Sequence, residues 1–307
     1  MRKIVILACC LFGAVALNAQ DLAGAREENS PLLTKNGYRY LPVKGDYAIG
    51  IEATPFFEYM GNMFNGTSNN ASPFANGYKG AIYGKYFLEN NRAIRAKLNL
   101  NIYSETINGA VPNDGALPAD LYSTGIDEKK MNAAAVEVLA GYEFRRGHGR
   151  VQGFYGGEVG LGYRGGKDAY TYANPFTALN QTPSTSDFLE DGTPTAYSAT
   201  SRATETKYGA VIEATIAGFV GVEYFFAPHI SMGAEFNLAL KMGGSAQNEY
   251  TVERWNTTTN SVETYSYRMF SNEGSSLSSS NPYDSKPNGK FGVYTKPTGS
   301  IFFLFYF

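Results

Sequence analysis

Apolar and polar residues alternate at every second position along much of this chain, and this period limits the fold more than any other feature. Side chains two residues apart in an extended strand point to the same face. The clearest example runs from Ile94 to Ile102, where Ile94, Ala96, Leu98, Leu100 and Ile102 alternate with Arg95, Lys97, Asn99 and Asn101. The pattern predicts a strand that has one apolar face and one polar face.

Eight segments share this alternation, and the connections between them are short and long in turn. The segments are 47–59, 78–88, 94–102, 131–144, 151–164, 208–226, 230–242 and 291–307. The short connections are 89–91, 145–149 and 227–228, and the long ones are 61–77, 104–130, 165–207 and 243–290. An antiparallel up-and-down order would place every short turn at one end and every long loop at the other. The sequence therefore predicts an all-β domain of eight strands over 46–307.

A further hairpin is predicted within the last long connection, over 250–267. Two strand-like runs flank the turn residues Asn256-Thr-Thr-Thr-Asn260. Both faces of this hairpin carry polar or charged groups, which favours a position outside the set of eight strands. Counting its two strands with the others gives the alternative of ten.

The amino terminus has the layout of a secretory signal. Arg2 and Lys3 precede an apolar run from Ile4 to Leu17, and Ala19 supplies the small residue before a cleavage site. We therefore expect residues 1–19 to be a signal peptide, followed by a polar, irregular leader over 20–45. Cys9 and Cys10 both lie in the signal, which leaves no thiol for redox or cysteine chemistry in the exported chain.

The last nine residues end on an aromatic side chain, with Ile301, Phe303, Phe305 and Phe307 on one face of the predicted strand. This ending resembles the closing strand of Gram-negative outer-membrane β-barrels. Together with the loop asymmetry, it makes the chain similar to the small barrels of the OmpA and OmpX type.

The resemblance implies a transmembrane antiparallel up-and-down β-barrel with short periplasmic turns and long extracellular loops. The leader over 20–45 would then lie in the periplasm, and the chain would be exported to the outer membrane of a Gram-negative bacterium. Ile301, Phe303, Phe305 and Phe307 would form the signal that the barrel assembly machinery reads. Outer-membrane lipid and lipopolysaccharide would surround the barrel.

The polar face carries a nearly balanced set of charges, as an interior lined with buried ions requires. Glu58 and Lys79 are expected at matching heights near the outer end, and Arg95 and Glu143 near the inner end. These charges predict either a rigid interior closed by ion pairs or a gated polar channel. The predicted network consists of Glu52, Glu58, Lys79, Lys85, Arg95, Lys97, Glu137, Glu143, Glu158, Arg164, Glu213, Glu223, Glu235, Lys241 and Lys296.

A soluble barrel of the lipocalin type would show the same period with its faces reversed. Two features favour the membrane. Glycines recur on the polar face, which suits a crowded interior, and aromatic residues end the apolar faces, as interfacial girdles do. The glycines are Gly141, Gly156, Gly160, Gly162, Gly209 and Gly221, and the aromatics are Tyr47, Tyr59, Tyr142, Phe144, Tyr163, Tyr208 and Tyr224.

An enzymatic role is not expected. The two histidines, His148 and His229, lie in predicted periplasmic turns, away from the outer rim where small barrel enzymes place a catalytic histidine. Neither a metal site nor a cofactor site is predicted. The formal net charge of -2 gives no support for nucleic-acid binding.

Two functional hypotheses follow. In the first, the barrel is a non-enzymatic rigid scaffold whose long extracellular loops mediate binding, adhesion or envelope integrity. In the second, it is an accessory subunit of a larger outer-membrane complex, or a narrow porin-like channel for small solutes. Outward-facing small residues would allow close packing of its wall against a partner, namely Gly153, Gly157, Ala210, Ala214 and Gly218.

Overall fold

A computed structural model describes residues 32–64, 80–115, 123–147, 149–188, 196–269 and 290–307. Within this part of the chain the structure consists of β-strands and one helix, α1, at Thr54–Phe64. The predicted signal peptide lies outside the described residues. The strands are β1 Tyr47–Glu52, β2 Ala81–Glu89, β3 Arg92–Pro112, β4 Thr124–Arg146, β5 Val151–Thr171, β6 Ser184–Ser186, β7 Ala196–Ser198, β8 Ser201–Ala227, β9 Ile230–Ser245, β10 Asn248–Asn256, β11 Ser261–Met269 and β12 Lys290–Tyr306.

Eight strands form a sheet that closes on itself as a ring. Their order is β8, β5, β4, β3, β2, β1, β12 and β9, and β9 pairs with β8 again. Every pairing is antiparallel, including β1 with β12, which joins the first and last strands of the chain. The predicted all-β class and the count of eight strands in the ring are confirmed. The hairpin predicted over 250–267 is also confirmed, because β10 and β11 pair with each other and extend the sheet from β8.

The three short turns lie where the alternation predicts them, but the long connections contain much more strand than expected. β3 and β4 continue as a pair as far as Pro112 and Thr124, and β5 and β8 continue beyond the predicted 151–164 and 208–226. The prediction failed there because the outward residues become polar, so the apolar signal disappears while the backbone pairing continues. Beyond Asn99, the last partner of β2, β3 pairs with β4 alone.

The first predicted strand, 47–59, is corrected by the structure. β1 ends at Glu52, and helix α1 begins at Thr54. Pro55 suits the first turn of a helix, because its fixed φ is helical and no intrahelical bond needs its missing N–H. The Thr54 hydroxyl accepts a hydrogen bond from the Ile301 N–H at 2.9 Å, which ties the helix start to β12. Glu58 is therefore an exposed helix residue and does not face the interior of the ring.

The described part of the leader, from Leu32, is irregular apart from one isolated bridge between Leu33 and Arg39, but it packs against the ring. Tyr40 and Leu41 pack against the hydrophobic core inside the ring. The Arg150 guanidinium donates a hydrogen bond to the Tyr40 hydroxyl at 2.6 Å and lies 3.9 Å from the centre of its ring. The Gly45 N–H bonds to the Phe87 carbonyl at 2.8 Å. The leader therefore lies across the end of the ring where the short turns are.

The two faces of each ring strand differ sharply in burial. On β12, Phe302, Leu304 and Tyr306 are buried inside the ring, whereas Phe305 and Phe307 are exposed outside it. Together with aromatic residues of the neighbouring strands, these inward side chains form the hydrophobic core. Among the described residues, no helix is long and apolar enough to cross a membrane.

Beyond the ring, the extended strands and the connection from β5 to β8 form a second, polar core, which we call the outer head. Asp127 is fully buried there, and its two carboxylate oxygens accept hydrogen bonds from the Ala173 and Ser186 N–H groups at 2.8 and 2.9 Å. Arg202 is also buried, and its guanidinium lies 4.1 Å from the centre of the Tyr172 ring. These contacts hold the connection against the strands.

Candidate functional site

The interior of the ring contains a compact group of charged side chains, which we call the interior cluster. Four cations and four carboxylates compose it, and each residue is at most 8% exposed. They come from β2, β3, β4, β5, β8 and β9, because each takes the inward position in its alternating strand. The members are Lys85, Arg95, Lys97, Glu143, Arg145, Glu158, Glu223 and Glu235.

Arg95 occupies the middle of the interior cluster. Its Nη1 lies 2.7 Å from Glu235 Oε2 and 3.5 Å from Glu143 Oε2, while its Nε lies 3.6 Å from Glu158 Oε2. Lys97 bridges two of the same carboxylates, with Nζ 2.6 Å from Glu235 and 3.2 Å from Glu158. Removal of one partner would leave a buried charge uncompensated, so these contacts hold one another in place.

Glu223 forms the centre of the other half of the interior cluster. Arg145 Nη2 lies 2.8 Å from its carboxylate and Lys85 Nζ lies 3.4 Å from it. The Ser231 hydroxyl donates a hydrogen bond at 2.5 Å, and the Tyr306 hydroxyl donates another. Lys85 links the two halves, because its Nζ is also 2.9 Å from Glu143 Oε2.

Aromatic rings fill the space around these charges. The Arg95 guanidinium lies 3.9 Å from the centre of the Phe219 ring, and the Lys85 ammonium lies 4.7 Å from that of Phe154. Glycines make room for the rings, since a Cβ at Gly221 would overlap Phe154 and one at Gly233 would overlap Phe302. Charged groups and rings together fill the cross-section of the ring at this height.

A polar cavity of about 200 Å³ adjoins the interior cluster on the side of the long connections. Glu137 lies in its wall and is held by Lys241 Nζ at 2.5 Å, by the Thr215 hydroxyl at 2.9 Å and by the Asn99 amide at 3.1 Å. Glu52 and Lys296 also line this cavity. The Glu52 carboxylate accepts a hydrogen bond from the Ala81 N–H at 3.0 Å.

The pairs predicted within the network are only partly present. Arg95 and Glu143 lie together in the interior cluster as expected, with Nη1 and Oε2 3.5 Å apart. Arg164 and Glu213 are 3.2 Å apart, but the Arg164 side chain is 57% exposed. The predicted pairing of Glu58 with Lys79 required Glu58 to lie on a strand facing the interior, but Glu58 lies on helix α1. Lys79 is outside the described residues.

Sequence reasoning missed several inward residues. Arg145 was assigned to a short turn, although β4 continues to Arg146 and the side chain of Arg145 is buried. Two-residue periodicity from Glu143 would have placed it inside the ring. The hydroxyls of Tyr306 and Ser231 also belong to the network, because both donate hydrogen bonds to Glu223, and neither residue carries a charge that would reveal it in the sequence.

The cluster's chemistry is that of mutual neutralisation. Its four cations and four carboxylates are buried and pair with one another. His229 adopts a positive φ of 63° in the turn between β8 and β9, and His148 lies outside the described residues. Within the described ranges, no group of three or more metal-binding side chains is assembled.

No protein-family model matches this chain, and no curated protein or solved structure is significantly similar to it.

Proposed function

We propose that this protein is a non-enzymatic outer-membrane β-barrel, a rigid scaffold that carries the outer head and its connections on the cell surface for binding, adhesion or envelope integrity. The observation that carries the proposal is the reversal of the usual burial pattern around the complete ring. Charged side chains lie inside, and large apolar side chains lie outside. Water would disfavour such a surface, whereas lipid would cover it.

The apolar outer surface includes residues from all eight ring strands. Sixteen of its apolar side chains are between 40% and 68% exposed. Aromatic side chains end this surface at the short turns, among them Tyr47, Tyr86, Phe144 and Tyr224, as expected of a girdle at a lipid–water interface. The apolar residues include Ile49, Ile51, Ile82, Ile94, Leu100, Ile102, Val138, Val159, Leu161, Ile212, Ile216, Val220, Val222, Phe236, Leu238 and Val293.

The closed interior supports the scaffold over the channel. An eight-stranded barrel has an interior just wide enough for side chains to fill. Here the interior cluster and the neighbouring rings occupy the part nearer the short turns, with the cavity of about 200 Å³ beside them, and the Arg95–Glu235 ion pair joins opposite sides of the ring. The outer head, held by Asp127 and Arg202, is then the part that a partner outside the cell would meet.

Conductance measurements test this proposal. The purified protein is inserted into a planar lipid bilayer, and the current is compared with that of Arg95→Ala, which removes the side chain at the centre of the interior cluster. We expect no stable conductance from the wild-type protein and a measurable conductance from the variant. Stable steps from the wild type would instead support the narrow channel.

Fractionation of cells tests the location. The protein should sediment with outer membranes, and protease added to intact cells should cleave within the outer head. Recovery in a soluble fraction would contradict the proposal directly.

A second candidate, an accessory subunit of a larger complex, is favoured by one feature of the wall. Gly157 on β5 and Gly218 on β8 are direct cross-strand partners, and Leu161 is paired with Ala214 on the same face. The small residues Gly157, Gly218 and Ala214 would let another wall approach closely at this place. Purification from outer membranes in mild detergent distinguishes the two candidates, because a stoichiometric large partner would support the subunit and its absence the lone scaffold.

A further inference from the structure

Charged residues form one straight row across four strands on the outer surface, which we call the outer charged row. Lys167 on β5 is paired with Lys207 on β8, Lys207 with Glu249 on β10, and Glu249 with Arg268 on β11. Neighbouring strands are about 4.8 Å apart, so the row is about 14 Å long. Glu205, two residues before Lys207, completes it.

Ion pairs connect the whole row. Lys167 Nζ lies 2.5 Å from Glu205, Lys207 Nζ lies 2.8 Å from Glu205 and 3.4 Å from Glu249, and Arg268 Nη2 lies 2.7 Å from Glu249. Three cations thus face two carboxylates, and positive charge is in excess. The cationic side chains are about half exposed, at 48%, 53% and 50%, whereas both carboxylates are 25% exposed. The more accessible groups are therefore the cations.

Pairing within the row favours the charged forms of Glu205, Glu249 and Lys207. Hydrogen bonds from Lys167 and Lys207 lower the pKa of Glu205, and the bond from Arg268 does the same for Glu249. Hydrogen bonding to Glu205 raises the pKa of Lys207. Lys167 and Lys207 are cross-strand partners of like charge that share one carboxylate, Glu205, and an external anion would further relieve this arrangement.

The height of the row relative to the apolar surface suggests what that anion is. Tyr163 and Lys167 lie on the same face of β5, with Gly165 between them. A Cβ at Gly165 would come within 3.0 Å of the Tyr163 hydroxyl, so the ring of Tyr163 leans towards the row. A tyrosine with its ring in the apolar layer and its hydroxyl towards water marks a lipid–water interface. The cations begin just beyond this boundary.

We propose that the outer charged row binds the phosphate groups of a phosphorylated lipid in the outer leaflet. This inference rests on the proposed function, since it requires the apolar surface to lie in a membrane. Lys167, Lys207 and Arg268 contact the phosphates, and Glu205 and Glu249 space the cations and limit their affinity.

Stability alone is a weak reason for this row. Water screens exposed ion pairs, so they contribute little to stability and the row can be altered without unfolding the protein. Two variants change its charge in opposite directions: Lys167→Gln/Lys207→Gln/Arg268→Gln removes the cations, and Glu205→Gln/Glu249→Gln removes the carboxylates. A matched control is Arg254→Gln/Glu263→Gln. That pair lies on the same hairpin with atoms 2.9 Å apart, on the face opposite Glu249.

The test is native mass spectrometry of the full-length protein, released from vesicles that contain phosphorylated lipid A or the same lipid chemically dephosphorylated. We expect the wild type to retain the phosphorylated lipid preferentially. Retention should fall about tenfold or more without the cations, rise without the carboxylates, and stay unchanged in the control. A purely structural row predicts instead that both row variants lose stability and neither changes lipid retention.

The inference would be overturned by any of the following results. Equal retention by all variants would show that the row does not select the lipid. Displacement of the lipid by an equimolar amount of inorganic phosphate would identify a site for the free anion. Failure of the wild type to enter vesicles would refute the proposed function itself, whereas normal insertion with unselective retention would refute only the lipid site.

Discussion

Arg95 on β3 and Glu235 on β9 form an ion pair across the interior of the ring, with Nη1 and Oε2 2.7 Å apart. Three ring strands, β2, β1 and β12, separate these two strands on one side, and three others, β4, β5 and β8, on the other. The pair therefore joins opposite sides of the ring. Both side chains are buried, and Lys97 on β3 reaches the same carboxylate at 2.6 Å, so these contacts tie the two sides of the closed sheet together through its interior.

Arg95→Leu should destabilise the protein strongly. Three carboxylates would lose their shared cation in a buried environment, and breaking a buried pair costs about 3 to 5 kcal/mol. The free energy of unfolding can be measured by urea titration in lipid vesicles. Arg164→Leu is the matched control, because its pair with Glu213 is exposed and should be worth less than about 1 kcal/mol. Equal losses in the two variants would contradict the central role of Arg95.

The inward positions of Arg95 and Lys97 could be predicted from sequence because alternation in a strand is local. Their partners could not be predicted in the same way. Glu235 is remote in sequence, and its contact with Arg95 depends on how far the strands stagger around the closed ring. The pairing of adjacent strands alone does not determine that stagger.

The sequence did not predict the helix at Thr54–Phe64, for a different reason. Phe57 and Tyr59 continue the two-residue pattern of β1, and this favoured a longer strand. The opposing local signal was Thr54-Pro55, which suits a helix start. Contact with β12, including the stacking of Phe57 on Phe303 at 6.4 Å between ring centres, then places the helix against the ring.

Leu98→Arg tests which face of β3 meets lipid. Leu98 lies outside the ring between Ile82 and Val138, its cross-strand partners. If this face lies near the middle of a membrane, the arginine should lower the free energy of unfolding in vesicles by about 2 to 4 kcal/mol. Asn99→Arg places the same side chain one position along, where it faces the polar cavity, and it should escape that lipid penalty. The same loss at both positions would contradict the assigned faces.

Asp114 should make the outer head sensitive to acid. Burial opposes its ionisation, but hydrogen bonds from Ser184 and Asn180 outweigh that effect and lower the pKa of the carboxyl group. A lowered native pKa means that the stabilisation is present above the unfolded pKa of about 3.9 and is lost as the pH falls through the native value. The Ser184 N–H, 2.7 Å from the carboxylate, reports this step in NMR spectra of the protein in micelles. The chemical shift of this N–H should change as the pH falls below about 3.9. In Asp114→Asn that change should be absent. A midpoint at or above the ordinary value would contradict the prediction.

Phe307→Ser should impair assembly in cells far more than it destabilises the finished protein. The Phe307 ring is 59% exposed and stacks on Tyr47 with 5.4 Å between ring centres. The two backbone hydrogen bonds between these residues do not require the ring. Loss of the stacking should therefore cost less than about 1.5 kcal/mol in vesicles. If the terminal aromatic residue is read during insertion, however, the amount of protease-resistant protein in outer membranes should fall severalfold.

Phe291→Ser, at the other end of β12 and 74% exposed, is the control and should assemble normally. Normal assembly of Phe307→Ser would exclude the terminal side chain as an assembly signal, and an equal defect in both variants would attribute the effect to strand hydrophobicity.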